Sequence, residues 1–547
     1  MSKISRYLNE HLLGEVTTST AVRKQLSHDG SMMGFSPEIV AYPKVTNDIR
    51  KILRFTHQLA EKGHPITVTA RGAGTDTTGA ATGAGILINP TAHMNNILDY
   101  DAKQRLVQVQ PGLNFGALQA ALKLQGCFIP SFPDSVEYST IGGAVANNAS
   151  GRYSGQHGAI EESVSQLEVV LANGDVMQTE RLSKKELNHK KGLQTFEGEI
   201  YRAIDNLIED NRELIEQKIN PEVIDNSGYP AIRKVKDRNG SFDLTPLFVG
   251  SQGTLGVISE MILKAEFYNS SETLLAVMVR DQNSLIDLLD ELRAVSPETL
   301  EVIHGNLLKR AHTNGKRFGG MLSEESDIAQ TAGLILCSFQ DFNERTRKRK
   351  LKKALKAVTK YGGVYEVADQ LEQVRELSAL RGIPYNALHA EEKAGVVSPL
   401  FRGVYVPSDR FEDFCGALAK LEKSARIELP YSGYATDGVY TFWPQMNLQT
   451  AADKQKLLKL YDAFAKVVYD HKGSVVAEAG EGRMKTPFTA KYLDEDVAKL
   501  YQDIRKIFDE HGTLNTGVKQ PNELRQVVAR LRTGYDGGDF ADYSSPN

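Results

Sequence analysis

Three glycine-rich stretches, at residues 71–79, 139–151 and 249–256, constrain this chain more than any other feature. The first, Arg71-Gly72-Ala73-Gly74-Thr75-Asp76 and on to Gly79, follows an apolar strand segment at 66–70. Its glycines and small hydroxyl residues let consecutive backbone N–H groups converge on an anion. It lacks the Gly-Lys-Ser/Thr ending of a Walker loop, and its third glycine is misplaced for the Rossmann fingerprint. The second runs from Ser139-Thr140-Ile141-Gly142-Gly143 to Asn147-Asn148-Ala149-Ser150-Gly151. It offers hydroxyls and amides without bulk, so it can lie flat against an extended ligand. The third ends at Gly253-Thr254-Leu255-Gly256, just before a strand at 257–264 that opens with Val257 and Ile258. One such loop is as readily a plain turn. Three in one half of a chain point to a long, phosphate-bearing cofactor.

At 547 residues the chain is long enough for three or four folding units. With 24% charged and 41% hydrophobic residues it reads as globular, which excludes a disordered or fibrous architecture. A net charge of −4, from 65 basic and 69 acidic residues, argues against a nucleic-acid partner. No apolar run has the length to span a bilayer. Residues 1–15 lack the basic start and apolar core of a secretory signal, so a cytoplasmic protein is expected. Cys127, Cys337 and Cys415 are too few and too scattered for an iron–sulfur cluster or a disulfide framework.

Apolar periodicity predicts a strand at 38–43, a helix at 47–62, strands at 86–89 and 106–110, and a helix at 113–124. Asn173-Gly174 marks a hairpin between strands at 167–171 and 176–179. Strands mixed with helices make the class α+β or α/β. After Glu266 longer helical segments appear, at 284–295 and 347–360, and a domain boundary is placed there.

These motifs, in this order, carry a resemblance. His28-Asp29-Gly30-Ser31 with Pro37 and Pro43, then the three glycine-rich loops, make residues 36–264 similar to the FAD-binding domain of the vanillyl-alcohol-oxidase (PCMH-type) flavoproteins. The match is to the branch holding D-lactate dehydrogenase, the glycolate oxidase flavin subunit and D-2-hydroxyglutarate dehydrogenase. The resemblance implies an α+β fold: a two-subdomain FAD-binding domain at 36–265 after an N-terminal segment at 1–35. A substrate-capping α+β domain at 266–490 and a segment at 491–547 returning to the FAD domain complete it. Residues 71–76, Ser139, Thr140, Gly142 and Gly143 should wrap the FAD pyrophosphate. Asn148, Ala149, Gly151, Gly155, His157, Gly158, Gly253, Gly256, Val257 and Ile258 should line the rest. Covalently flavinylated members carry His where Thr75 stands, so non-covalent FAD is expected.

In the second half the resemblance makes Arg381, in Leu377-Ser378-Ala379-Leu380-Arg381-Gly382, the partner of a substrate carboxylate, by paired charge-assisted bonds. Residues 512–517 resemble the family's closing turn, which implies that Asn515 reaches the flavin edge. Metal-dependent members use Gly-His, Asp-Gly-Asn-Leu-His and Glu-His-Gly segments, and here Tyr434, Thr441 and Ala479 replace the three histidines. Asp437 and Glu478 remain, a poor transition-metal set, so no metal is expected. The hydroxyl proton then needs a side-chain base, with Glu478, Tyr434, Tyr440 and His389 as the choices. Arg483 and Lys485 are placed as substitutes for the cation's charge.

The function implied is oxidation of a D-2-hydroxy acid, D-lactate or a relative, by hydride transfer to FAD. Electrons would then pass to a quinone, an electron-transfer protein or oxygen. A flavin enzyme for another alcohol or sugar, or an FAD-binding subunit without catalysis, are the alternatives. Residues 345–360 carry nine Lys or Arg and no acid. They read as the solvated face of a packed helix, or as a peripheral contact with an anionic membrane.

Overall fold

The computed structural model describes residues 2–388 and 396–532, together with Tyr535. Its first sheet has four strands in the order Glu15–Thr17, Ile39–Tyr42, Ile86–Ile88, Val68–Ala70. The last three run parallel. Parallel neighbours require a crossover, and helix Thr46–Glu61 supplies it, burying Ile49, Ile52 and Leu53. Ile86, Leu87 and Ile88 are all buried, as a strand covered on both faces must be.

The second sheet is antiparallel, in the order Ile97–Asp101, Leu106–Val109, Val257–Lys264, Val164–Val170, Val176–Gln178. Along Val257–Lys264 every second residue is buried, the two-residue period of a strand with one face on a core. The Asn173-Gly174 turn closes the expected hairpin, with Gly174 at φ +85°. Helix Phe115–Leu124 is capped by Asn114, whose side chain accepts from Ala117 N at 2.8 Å. That cap, not the apolar period, sets where the helix begins.

The third sheet has seven antiparallel strands and opens at Glu272–Val279. Their order is Val364–Ala368, Glu272–Val279, Gly333–Gln340, Thr299–His304, Tyr431–Tyr434, Val439–Phe442, Val404–Tyr405. The basic helix Glu344–Lys360 buries Ala354, Ala357 and Val358 against it, so its apolar stripe already has a partner in the fold. Among the described residues no helix is long and apolar enough to cross a membrane. The chain then returns to its first half. Helix Glu495–Phe508 places Val497, Leu500, Tyr501, Ile504 and Phe508 in the core beneath the second sheet. Beyond it, Leu514 pairs with Val68 at the edge of the first.

Candidate active site

The three glycine-rich loops meet between the first two sheets. A Cβ on Gly72 would lie 2.0 Å from Thr140 Oγ1, so only glycine lets the first loop touch the second. Thr140 caps the short helix Ile141–Asn147, accepting from Gly143 N. The third loop lies along that helix, with Gly250 N donating to Val145 O and Gln252 N to Ala146 O. Asp76 fixes the first loop by accepting from Thr78 N, Ala80 N and Asn147 Nδ2. Arg71 turns under the loop to donate to His28 O and Ala81 O.

Together they enclose a cleft of about 1270 Å³. Arg71, Gly72, Ala73, Gly74, Thr75, Asp76, Ser139, Thr140, Gly142, Gly143, Ala149, Gly253, Gly256, Val257 and Ile258 all line it. Six residues expected there do not. Gly151 backs onto Phe132 O, Gly155 onto Thr436, and His157 pairs with Glu298 at 2.8 Å. Asn148 and Gly158 face a separate cavity. Asn515 is buried, its amide donating to Ala80 O and Gln252 O, so it locks loops together instead of reaching the cleft.

Arg402 and Glu478 belong to the cleft and also to a second cavity of about 640 Å³ beneath the capping sheet. This second cavity is strongly charged. Arg402 grips the Glu478 carboxylate through Nε (3.1 Å) and Nη2 (2.7 Å), and Asp134 stands 3.8 Å away. Asp134 accepts from Tyr434 OH at 2.6 Å and Tyr385 OH at 2.9 Å. Burial first, and then the neighbouring Asp134, hold both phenols well above their ordinary pKa. Arg381 donates from Nε to both oxygens of Glu301, at 2.8 and 3.1 Å. Arg152 completes the set, attracted by Glu301 and Asp134 but hydrogen-bonded to neither among the described residues.

Three sequence expectations are therefore brought together here: Arg381, Tyr434 and Glu478. Others are not. Tyr440 stacks face to face on Phe411 inside the capping core, 4.6 Å between ring centroids, and lines neither cavity. Arg483 is buried and donates to Gly79 O, Thr82 O, Thr516 O and Asn515 Oδ1, which leaves its charge no route to a substrate. Lys485 donates to Arg402 O and Val475 O, holding the Arg402 backbone from behind. His389 lies outside the described residues. The guanidinium that does stand at the junction of the two cavities is that of Arg402. Sequence reasoning missed Arg402, Glu301, Asp134 and Tyr385, which no motif flags. It also missed Arg152, whose one signal was its place directly after Gly151.

The two carboxylates left from the metal pattern do not share a cavity. Glu478 is held by Arg402, while Asp437 faces the separate cavity beside Asn148. Among the described residues the one close cluster of three potential ligands is His57, Glu510 and His511, outside both cavities. Among the described residues, those at the site do not fit a divalent cation.

The profile of an FAD binding domain matches residues 37–180, and that of the FAD linked oxidases, C-terminal domain, matches residues 269–518. The chain is 25% identical to a D-2-hydroxyglutarate dehydrogenase of Pantoea ananatis, over 96% of its own length and 52% of that protein. It thus spans about half the length of such relatives. It is 26% identical to the glycolate oxidase subunit GlcD of Bacillus subtilis, covering 94% and 96% of the two chains. Identity to a D-lactate dehydrogenase of Anaerostipes hadrus is 22%, over 88% and 89%. Among solved structures, 4-ethylphenol oxidase from Gulosibacter chungangensis superposes with a TM-score of 0.68 at 12% identity, over 96% and 98%. That likeness is one of fold.

The cleft suits a flavin dinucleotide. Ser139 Oγ is buried there without a hydrogen-bond partner among the described residues. Gly253, at φ +70°, has nothing within 4 Å of where a Cβ would stand, so a side chain would project into the open space. An unmet polar group and a cradle kept clear of side chains are what an extended, polar ligand requires.

Proposed function

Because this chain belongs to the PCMH-type FAD-linked oxidoreductases, we propose that it oxidises a D-2-hydroxy acid of the D-lactate kind to the 2-oxo acid, without a divalent metal. One observation carries the reading: Arg402 and Glu478 line both the cofactor cleft and the charged cavity beside it. A substrate in that cavity reaches the cleft past a guanidinium and a carboxylate.

FAD, when bound, supplies the hydride acceptor. The protein's own groups do the rest. Arg381 and Arg402 already hold carboxylates of the protein, which makes Arg152 the guanidinium open to the substrate's carboxylate. Tyr434 and Tyr385 stay protonated at neutral pH and donate to Asp134, so neither serves as base. Glu478 is the remaining acceptor at the junction and takes the hydroxyl proton as the C2–H bond breaks. Arg402, fixed against it, stabilises the negative charge that develops on the substrate oxygen. This is the service a divalent cation performs in metal-dependent relatives.

Relatives bearing the names D-2-hydroxyglutarate dehydrogenase, glycolate oxidase subunit and D-lactate dehydrogenase support the substrate class. The test is the visible spectrum of the purified holoenzyme under anaerobic conditions with a chelator present, before and after a D-2-hydroxy acid is added. Bleaching of the flavin band is expected. Glu478→Gln and Arg402→Met should each slow it by about a hundredfold or more while the bound flavin band remains. Bleaching that stops in chelator, or that both variants leave at full rate, sinks the metal-free scheme.

A further inference from the structure

A third space opens where the charged cavity ends. Arg152 lines the charged cavity and also a vestibule of about 1310 Å³, open solvent included. The vestibule shares no lining residue with the cofactor cleft. Its walls carry Phe128, Phe132, Tyr153, Tyr268, Leu371 and Val374. The rings form one cluster: Phe128 meets Tyr153 at 5.9 Å and Tyr268 at 5.7 Å edge-to-face, and Phe132 meets Tyr153 at 5.7 Å with its plane tilted. The Arg152 guanidinium lies 5.8 Å from the Phe132 ring centroid, at the doorway between the two spaces.

A methyl side chain, as in lactate, has no use for such a space. Nor does the vestibule suit a second carboxylate. Lys123, Arg152 and Arg347 on its lining are balanced by Glu137, Glu272 and Asp369, so it offers an anion no net attraction. What it does offer is aromatic surface continuous with the reaction site. Resting on the function proposed above, we infer that the substrate is a 2-hydroxy acid with a bulky apolar or aromatic side chain. The carboxylate sits on one edge of Arg152, and the side chain turns past it into the vestibule. Burying a phenyl group against these rings adds binding that a small or charged side chain cannot obtain. An electron acceptor would have to approach the cofactor itself, and among the described residues the vestibule shares no lining with the cofactor cleft.

Anaerobic stopped-flow reduction of the holoenzyme by D-lactate, D-2-hydroxyglutarate and D-3-phenyllactate decides this. The efficiency of flavin reduction should be about tenfold or more higher with phenyllactate than with either other acid. Leu371 is 64% exposed on the vestibule wall, so Leu371→Glu should fold normally and cut that preference several-fold. Equal or better reduction by lactate or hydroxyglutarate overturns the inference and leaves the hydroxy-acid reading standing. A preference that Leu371→Glu does not change, with slower flavin reoxidation by a soluble quinone, would mark the vestibule as an acceptor site and overturn it too. No bleaching by any of the three acids removes the hydroxy-acid reading, and this inference with it.

Discussion

Lys485 is buried with its ammonium against two carbonyls, and burial pushes its pKa from 10.5 down to about 7. Glu478 and Asp76 oppose that shift and Arg402 adds to it. Between about pH 7 and pH 10 the unfolded chain therefore binds the proton that the folded one has released. Stability contributed at this site rises with pH across that window, by at most about 1.4 kcal/mol per pH unit. Wild type should gain on Lys485→Met in urea midpoint between about pH 7 and about pH 9.5. Parallel curves would show that Lys485 stays charged throughout. The same residue shows why the site was only partly legible in the sequence. Glu478, Tyr434 and Arg381 stand in segments whose neighbours give them away. Their partners do not: Arg402 reaches Glu478 across 76 positions and Arg381 reaches Glu301 across 80. A basic residue in the sequence looks the same whether its guanidinium meets a substrate or, like Arg483, four backbone and amide oxygens.

At the scale of elements, the glycine-rich loops were legible because glycine reports backbone demands that any fold must meet locally. Gly72 is required by the approach of Thr140, and Gly253 by a left-handed φ beside an open cleft. Gly253→Ala separates these demands from packing. The added methyl clashes with no protein atom, and the left-handed backbone costs about 1 kcal/mol. FAD affinity should nevertheless fall by tenfold or more, read by flavin fluorescence on titrating the apoprotein, with a melting shift of only a few degrees. Unchanged affinity would mean that the third loop does not cradle the cofactor. The α+β class and the Asn173-Gly174 hairpin follow from local patterns of the same sort. Strand order does not. Val257–Lys264 pairs with Leu106–Val109 some 150 residues earlier, and no local period encodes such a partner.

Across the whole molecule, the chain leaves the cofactor half after Phe267, builds the capping sheet, and comes back. Helix Glu495–Phe508 fills the core under the second sheet, where Phe508 meets Phe248 edge-on at 5.3 Å and Tyr501 meets Tyr229 at 6.0 Å. Gly482 N donates to Gln252 Oε1 and so ties the third loop, while Glu481 accepts from Gly228 N, in the segment before it. Val497, Leu500, Tyr501, Ile504 and Phe508 are each nearly or fully buried. At about 2 kcal/mol for each such side chain, their removal withdraws about 10 kcal/mol, as much as a whole domain commonly has. A chain ending at residue 490 should therefore fail to hold the first half together, although both of its sheets and all three glycine-rich loops remain in it. It should expose apolar surface that binds a hydrophobic dye and should retain no flavin. Phe508→Ala gives the graded version, a loss of about 3–5 kcal/mol at equilibrium with the flavin still bound. A truncated chain that is soluble, dye-silent and yellow would show that the cofactor half folds without its returning helix.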